Sequence, residues 1–192
     1  MIYISDVMYW ISTGLLVPVV ILLIYFFVRA LILVGSFFGQ YLAMKRTQRF
    51  VNSHLDRLTP DNLDDFVKSL PDNCNALVIP YIRKIVEAKG NRALTDRLLA
   101  DFEIAVDKEL STPKTLGKLG PILGLMGTLI PMGPALAGLA QGDIASMAYN
   151  MQVAFATTVI GLVISAIGFI VLQMRQRWLF QDLTNLEYIA QL

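Results

Sequence analysis

Apolar residues in this chain fall into long unbroken blocks rather than an alternating pattern. Three blocks approach or exceed the roughly 20 residues a helix needs to cross about 30 Å of hydrocarbon. They run from Tyr9 to Val28, from Leu116 to Ala140 and from Ile144 to Leu172. A polar segment, Lys45 to Pro113, separates the first block from the second. No stretch alternates with period two between hairpin turns, so no sheet is expected. The pattern predicts an all-α integral membrane protein with three transmembrane helices extended into a cytoplasmic helical domain. Its segments are a short N-terminus (1–8), a first transmembrane helix with its extension (9–44) and a helical insertion (45–113). A second transmembrane helix (114–140), a connector (141–144), a third transmembrane helix (145–173) and a C-terminal helix (174–192) follow.

Within the insertion the periodicity changes to that of short amphipathic helices. Thr59-Pro60-Asp61 reads as a helix start, with an N-cap, a first-turn proline and an acid near the positive end of the dipole. That helix ends by Leu70-Pro71. A second is expected over Asn75–Lys89, stopped by Gly90, and a third over Asn91–Leu110. The third carries an apolar stripe of Leu94, Leu98, Phe102, Ala105 and Val106. Its opposite face (Asp96, Asp101, Glu103, Asp107) reads as solvated rather than catalytic. Ser111-Thr112-Pro113 is expected to break or bend the chain before the second span.

Charge then orients the spans. The formal net charge is only +1, but the segment 45–118 holds thirteen of the sixteen Lys and Arg residues. None precedes the first span and none lies in the connector Ala140-Gln141-Gly142-Asp143. The positive-inside rule places the N-terminus and the connector outside, and the insertion and C-terminus in the cytoplasm. The first span is too long for a signal peptide and reads as retained. Arg29 reads as a residue whose charged head reaches back to the interface. One Cys (Cys74) and one His (His54) offer neither a disulfide framework nor a Cys/His metal site. No cofactor, metal or nucleic-acid motif is present.

The second and third spans carry stripes of small residues. Gly117, Gly120, Gly124, Gly127, Pro131, Pro134 and Gly138 follow one another at alternating spacings of three and four. So do Ala154, Thr158, Gly161, Ser165 and Gly168. That period belongs to left-handed helix packing, where small residues let backbones approach. Thr128 adjoins the first stripe and Thr158 belongs to the second, with Thr157 beside it. A hydroxyl offers hydrogen bonds inside lipid without the cost of a buried charge. Neither span has an ionisable residue near its centre, so an ion path here would need a titrating group from another chain.

The stretch Gly120-Pro121-Ile122-Leu123-Gly124-Leu125-Met126-Gly127-Thr128 resembles the second-helix motif of the MotA/TolQ/ExbB proton channel family. Ala154-Phe155-Ala156-Thr157-Thr158-Val159-Ile160-Gly161-Leu162-Val163 is similar to its third-helix motif. Two departures stand out: Pro131 and Pro134 fall where the ExbB-like pattern has none, and no proline follows Gly161-Leu162-Val163. The resemblance implies a stator-like subunit of an ion-driven inner-membrane motor rather than an enzyme. It further implies a homopentameric ring around a dimer of a single-span partner similar to ExbD, TolR or MotB, whose transmembrane Asp binds and releases the ion. Thr128 and Thr158 match the family's pore-facing threonines, and Gly120, Pro121, Gly124, Gly127 and Gly161 its close-packing positions. The modest insertion favours an ExbB/TolQ-like subunit over a flagellar one. Hydroxyls accommodate H⁺ and Na⁺ alike. On this reading the glycine stripe is a smooth surface against which a partner helix turns. The alternative is a non-conducting membrane scaffold, a homo-oligomer held together by the same stripes and binding a partner through its cytoplasmic helices.

Overall fold

The computed structural model describes residues 7, 10, 11, 13–55, 63–69, 77–88 and 91–191. Its elements are α1 (Leu16–Leu55), α2 (Leu63–Ser69), α3 (Val78–Glu87), α4 (Arg92–Ala140) and α5 (Ile144–Gln191). Three of them, over Leu16–Tyr41, Arg92–Ala140 and Ile144–Gln191, are long and apolar enough to cross a membrane. The start expected at Thr59-Pro60-Asp61, the stops at Leu70-Pro71 and Gly90, Cys74, and the His54 side chain lie outside the described residues, as does nearly all of segment 1–8.

The break or bend expected at Ser111–Pro113 is not a break. The insertion's third helix and the second span are one continuous helix, α4, with Pro113, Pro121, Pro131 and Pro134 inside it. A proline removes one backbone hydrogen bond and crowds the preceding turn, but packing can carry the helix across. Pro113 and Pro131 are both completely buried, so each sits where packing is densest. The third span likewise continues without interruption into the C-terminal helix.

The chain divides into two compact units. Residues 1–34 and 112–171 form the first, and 35–111 with 172–192 form the second. In the first unit α1 contributes Val19, Leu23, Ala30 and Leu33 to the interior, while Ile21, Ile24, Tyr25 and Val28 face outward. Apolar surface of that kind is stable only in lipid or against another protein.

In the second unit the core gathers Phe66, Val78, Ile79, Ile82, Ile85, Phe102, Leu186 and Ile189. The short helix α3 is strongly amphipathic and buries Val78, Ile79, Ile82 and Ile85 on one face. Phe102 is fully buried and meets the Tyr81 ring edge-on at 5.2 Å between centroids. Asn91 caps α4, its Oδ1 accepting from the Leu94 N–H at 3.2 Å. Of the predicted stripe, Leu98 and Val106 join this core with Phe102. Leu94 does not: it is exposed, and Thr95 is buried in its place with its hydroxyl donating to the Asn91 carbonyl. The acidic face of Asp96, Asp101, Glu103 and Asp107 is exposed.

The same unit contains a polar knot. The buried Arg175 donates to Glu109 at 3.2 Å and to the Gln40 side-chain oxygen, tying together α5, α4 and α1. One turn on, Trp178 stacks on Phe37 with rings 5.6 Å apart and only 3° from parallel, and Tyr41 leans on the same indole.

Candidate functional site

A three-residue turn, Gln141-Gly142-Asp143, sets the second and third spans against each other. At the end of α4 the Asp143 N–H donates to the Gly138 carbonyl at 2.9 Å and the Gly142 N–H to the Leu139 carbonyl at 3.1 Å. This paired closure needs a left-handed residue, and Gly142 supplies it at φ +76°. Asp143 then caps α5 by accepting from the Ser146 N–H at 3.0 Å. The chain reverses, and α5 runs back antiparallel along α4.

The two small-residue stripes meet in this hairpin. A methyl group placed on Gly120 would lie 2.6 Å from the Gly161 carbonyl oxygen, and one on Gly161 would lie 2.6 Å from the Gly120 oxygen. One on Gly168 would lie 2.6 Å from the Gly117 nitrogen, and one on Gly127 would lie 2.6 Å from Thr157. Gly124 packs against Gly161 and the Thr157–Thr158 backbone, and Gly138 lies beside Asp143 and Met147. Backbone meets backbone at Gly117, Gly120, Gly124, Gly161 and Gly168, and at Gly127 the Thr157 side chain fills the space, which is what small residues permit and larger ones forbid.

The position of this seam corrects the expectation drawn from the stripe. The smooth face of the second span does not await a partner helix, because the chain's own third span occupies it. Sequence periodicity could not separate the two cases, since close approach demands small residues whoever supplies the second helix. Register is corrected too. On α5 the buried line is Ala154, Thr157, Gly161, Ile164 and Gly168, so Thr158 and Ser165 sit at its edge, half buried. On α4 the buried line takes in Pro131, Ala135 and Gly138, while Pro134 is only half buried.

Ser165 has a specific task at that edge. Proline at 121 has no N–H, so the Gly117 carbonyl loses its helical donor. The Ser165 hydroxyl donates to that carbonyl at 2.9 Å and restores the missing bond from across the seam.

The three candidate threonines separate into two groups. Thr157 is buried in the seam against Gly127, its hydroxyl within 2.9 Å of the Ala154 carbonyl and 3.1 Å of that of Val153. Thr128 and Thr158 are half buried. Each lies roughly 70–90° around its helix from the seam, in the same rotational sense. In antiparallel helices that face each other, this puts both on one side of the hairpin. Because Gly127 opposes Thr157, their neighbours Thr128 and Thr158 lie within about 3 Å of one another in depth. Leu116, Leu123 and Ile130 are buried on the opposite flank, so the threonine side is the open one.

Both hydroxyl protons are already committed. Thr128 Oγ1 donates to the Leu125 carbonyl at 2.7 Å, and Thr158 Oγ1 to the Ala154 carbonyl at 3.0 Å. What each oxygen presents outward is lone-pair acceptor capacity. The Arg175–Glu109–Gln40 knot is a feature that sequence reasoning misses, since Arg175 by itself reads only as a charge orienting the third span. A signal exists: Arg175 continues the line Gly161, Ile164, Gly168, Val171 at three- and four-residue spacing.

Among curated proteins, none matches the chain. A family profile does, over residues 49–187, which is well over half of the chain and takes in α4 and α5 as far as Glu187. The chain belongs to the MotA/TolQ/ExbB proton channel family.

Proposed function

We propose that this chain is a stator-like ring subunit of an ion-driven motor in the inner membrane. Five copies surround a dimer of a single-span ExbD/TolR/MotB-like partner, with the N-terminus outside and the C-terminus in the cytoplasm. The partner's transmembrane Asp carries the ion, H⁺ or Na⁺, and the chain supplies the wall along which it passes. The observation that carries this reading is the pairing of Thr128 and Thr158 at one depth on the open side of the hairpin, in a chain of this family.

The chemistry follows from the committed protons. Two acceptor oxygens with no charge attract a protonated carboxyl group or a bare cation and give nothing to an ionised carboxylate. A partner Asp would therefore rest at this level when loaded and leave it when discharged. Each charge crossing the membrane releases about 2.3 kcal/mol per 100 mV. A neutral acceptor pair is shallow enough a stop not to trap the carrier.

The scaffold alternative needs the small-residue stripes to hold subunits together. Those stripes are filled within the chain by α4 and α5, so they are not available for that purpose. The deciding experiment reconstitutes the complex with its copurifying single-span protein and measures ion-driven work. Thr158→Val, which keeps shape and removes the acceptor, is expected to leave assembly intact and cut ion flux by an order of magnitude or more. Normal flux in the double variant Thr128→Val/Thr158→Val, or the absence of any acid-bearing single-span partner, would refute the reading.

A further inference from the structure

We propose that Arg29, backed by the Tyr25 ring, binds the phosphate headgroup of an anionic phospholipid on the exposed face of α1. Arg29 is exposed and is the one charged residue within the span Leu16–Tyr41. Ile21, Ile24, Tyr25 and Val28, along the turns leading to it, are all about half exposed or more. Its guanidinium carbon lies 5.7 Å from the centre of the Tyr25 ring, so the ring faces the cation. A cation held at the lipid interface is stabilised by a nearby anion.

The spans of this chain supply none. No Asp or Glu occurs in 7–55, in 110–142 or in 144–181. The first unit contains three cations, Arg29, Lys114 and Lys118. It ends at Val34 on α1, at Thr112 on α4 and at Val171 on α5. All three cations therefore lie within about two helical turns of that one end. The unit's acids, Asp6 and Asp143, precede the first span and occupy the connector between α4 and α5. Beyond the cationic tier stand exposed apolar side chains, Ile21, Ile24 and Val28 on α1 and Ile122 and Leu125 on α4. A tier of positive charge under an apolar wall has the polarity of a phospholipid, with the headgroup on the tier and the acyl chains on the wall. Among the three cations Arg29 is the one with a forked donor, which suits two phosphate oxygens at once.

The site lies on α1, away from the threonine side of the hairpin, and does not depend on ion conduction. To test it, the purified full chain is exchanged into nanodiscs containing dioleoylphosphatidylglycerol and dioleoylphosphatidylcholine in equal amounts. Retained lipid is then counted by native mass spectrometry. The wild type should retain the anionic lipid in preference. Arg29→Gln should reduce that preference about fivefold, and Arg29→Lys should recover only part of it. The side chain is exposed, so these variants leave the buried line of Val19, Leu23, Ala30 and Leu33 intact. Equal retention of both lipids by the wild type, or an unchanged preference in Arg29→Gln, would overturn the proposal. So would crosslinking of position 29 to a copurified membrane protein.

Discussion

Replacing Gly161 by alanine adds one methyl group at one of the tightest points of the hairpin. The new carbon would stand 2.6 Å from the Gly120 carbonyl oxygen, 2.8 Å from the Gly124 Cα and 3.0 Å from the Gly124 nitrogen. Ordinary van der Waals contact begins at 3.4 Å, so α4 and α5 must separate by about 0.8 Å. All three neighbours are backbone, so no side chain can swing aside. Overpacking of this kind costs about 1–3 kcal/mol. Alanine is the better helix former by roughly 1 kcal/mol, which offsets part of that cost. Gly117→Ala is the internal control, because its methyl would lie 3.7 Å from the nearest atom, in open contact. It keeps the propensity gain and escapes the clash, so the two variants should differ by about 2 kcal/mol. The assay is reversible unfolding of the purified chain in mixed micelles, titrated with a denaturing detergent. Equal midpoints for Gly161→Ala and Gly117→Ala would refute the backbone-on-backbone account of the seam.

Two further substitutions probe the polar contacts. Ser165→Ala removes the donor that replaces the bond lost at Pro121 and should cost about 1–2 kcal/mol. In Ser165→Ala/Pro121→Ala most of that loss should vanish, because alanine in place of Pro121 restores the helical donor; a double-mutant cycle in the same detergent titration measures the coupling. Arg175→Met should destabilise the second unit by about 1–3 kcal/mol through loss of two charge-assisted bonds, discounted because Glu109 is partly exposed. Trp178 fluorescence should report that change, and an unaltered unfolding midpoint would count against the knot as a tie between helices.

The spans were legible because about 20 apolar residues in a row have few other uses, and the family was legible in the glycine and threonine spacing. The finer register was not. Thr157 and Thr158 are chemically identical neighbours, and a 3–4 repeat passes almost equally well through either. The burial of Thr157 and its contact with Gly127 show that it is the one turned inward. Leu94 and Thr95 exchange expected places for a similar reason: the first turn of α4 is set by the Asn91 cap and not by the apolar stripe. The continuity of α4 through Pro113 was hidden because proline signals a break locally, whereas the packing that overrides it comes from residues far away in sequence. The cross-seam bond from Ser165 to Gly117 joins residues 48 positions apart, a distance at which one sequence carries no pairing signal.

The glycine seam also has a mechanical meaning. In most helix pairs, side chains stand between the backbones and yield by changing rotamer, so they act as soft springs. Along Gly120, Gly124 and Gly161 there are no such springs, since one main chain rests directly on another. A load applied at the level of Thr128 and Thr158 is thus shared at once between two helices, which bend as a single thicker beam. Whatever pushes on that edge acts on a stave rather than on a lone rod, and little of the stroke is lost to internal give.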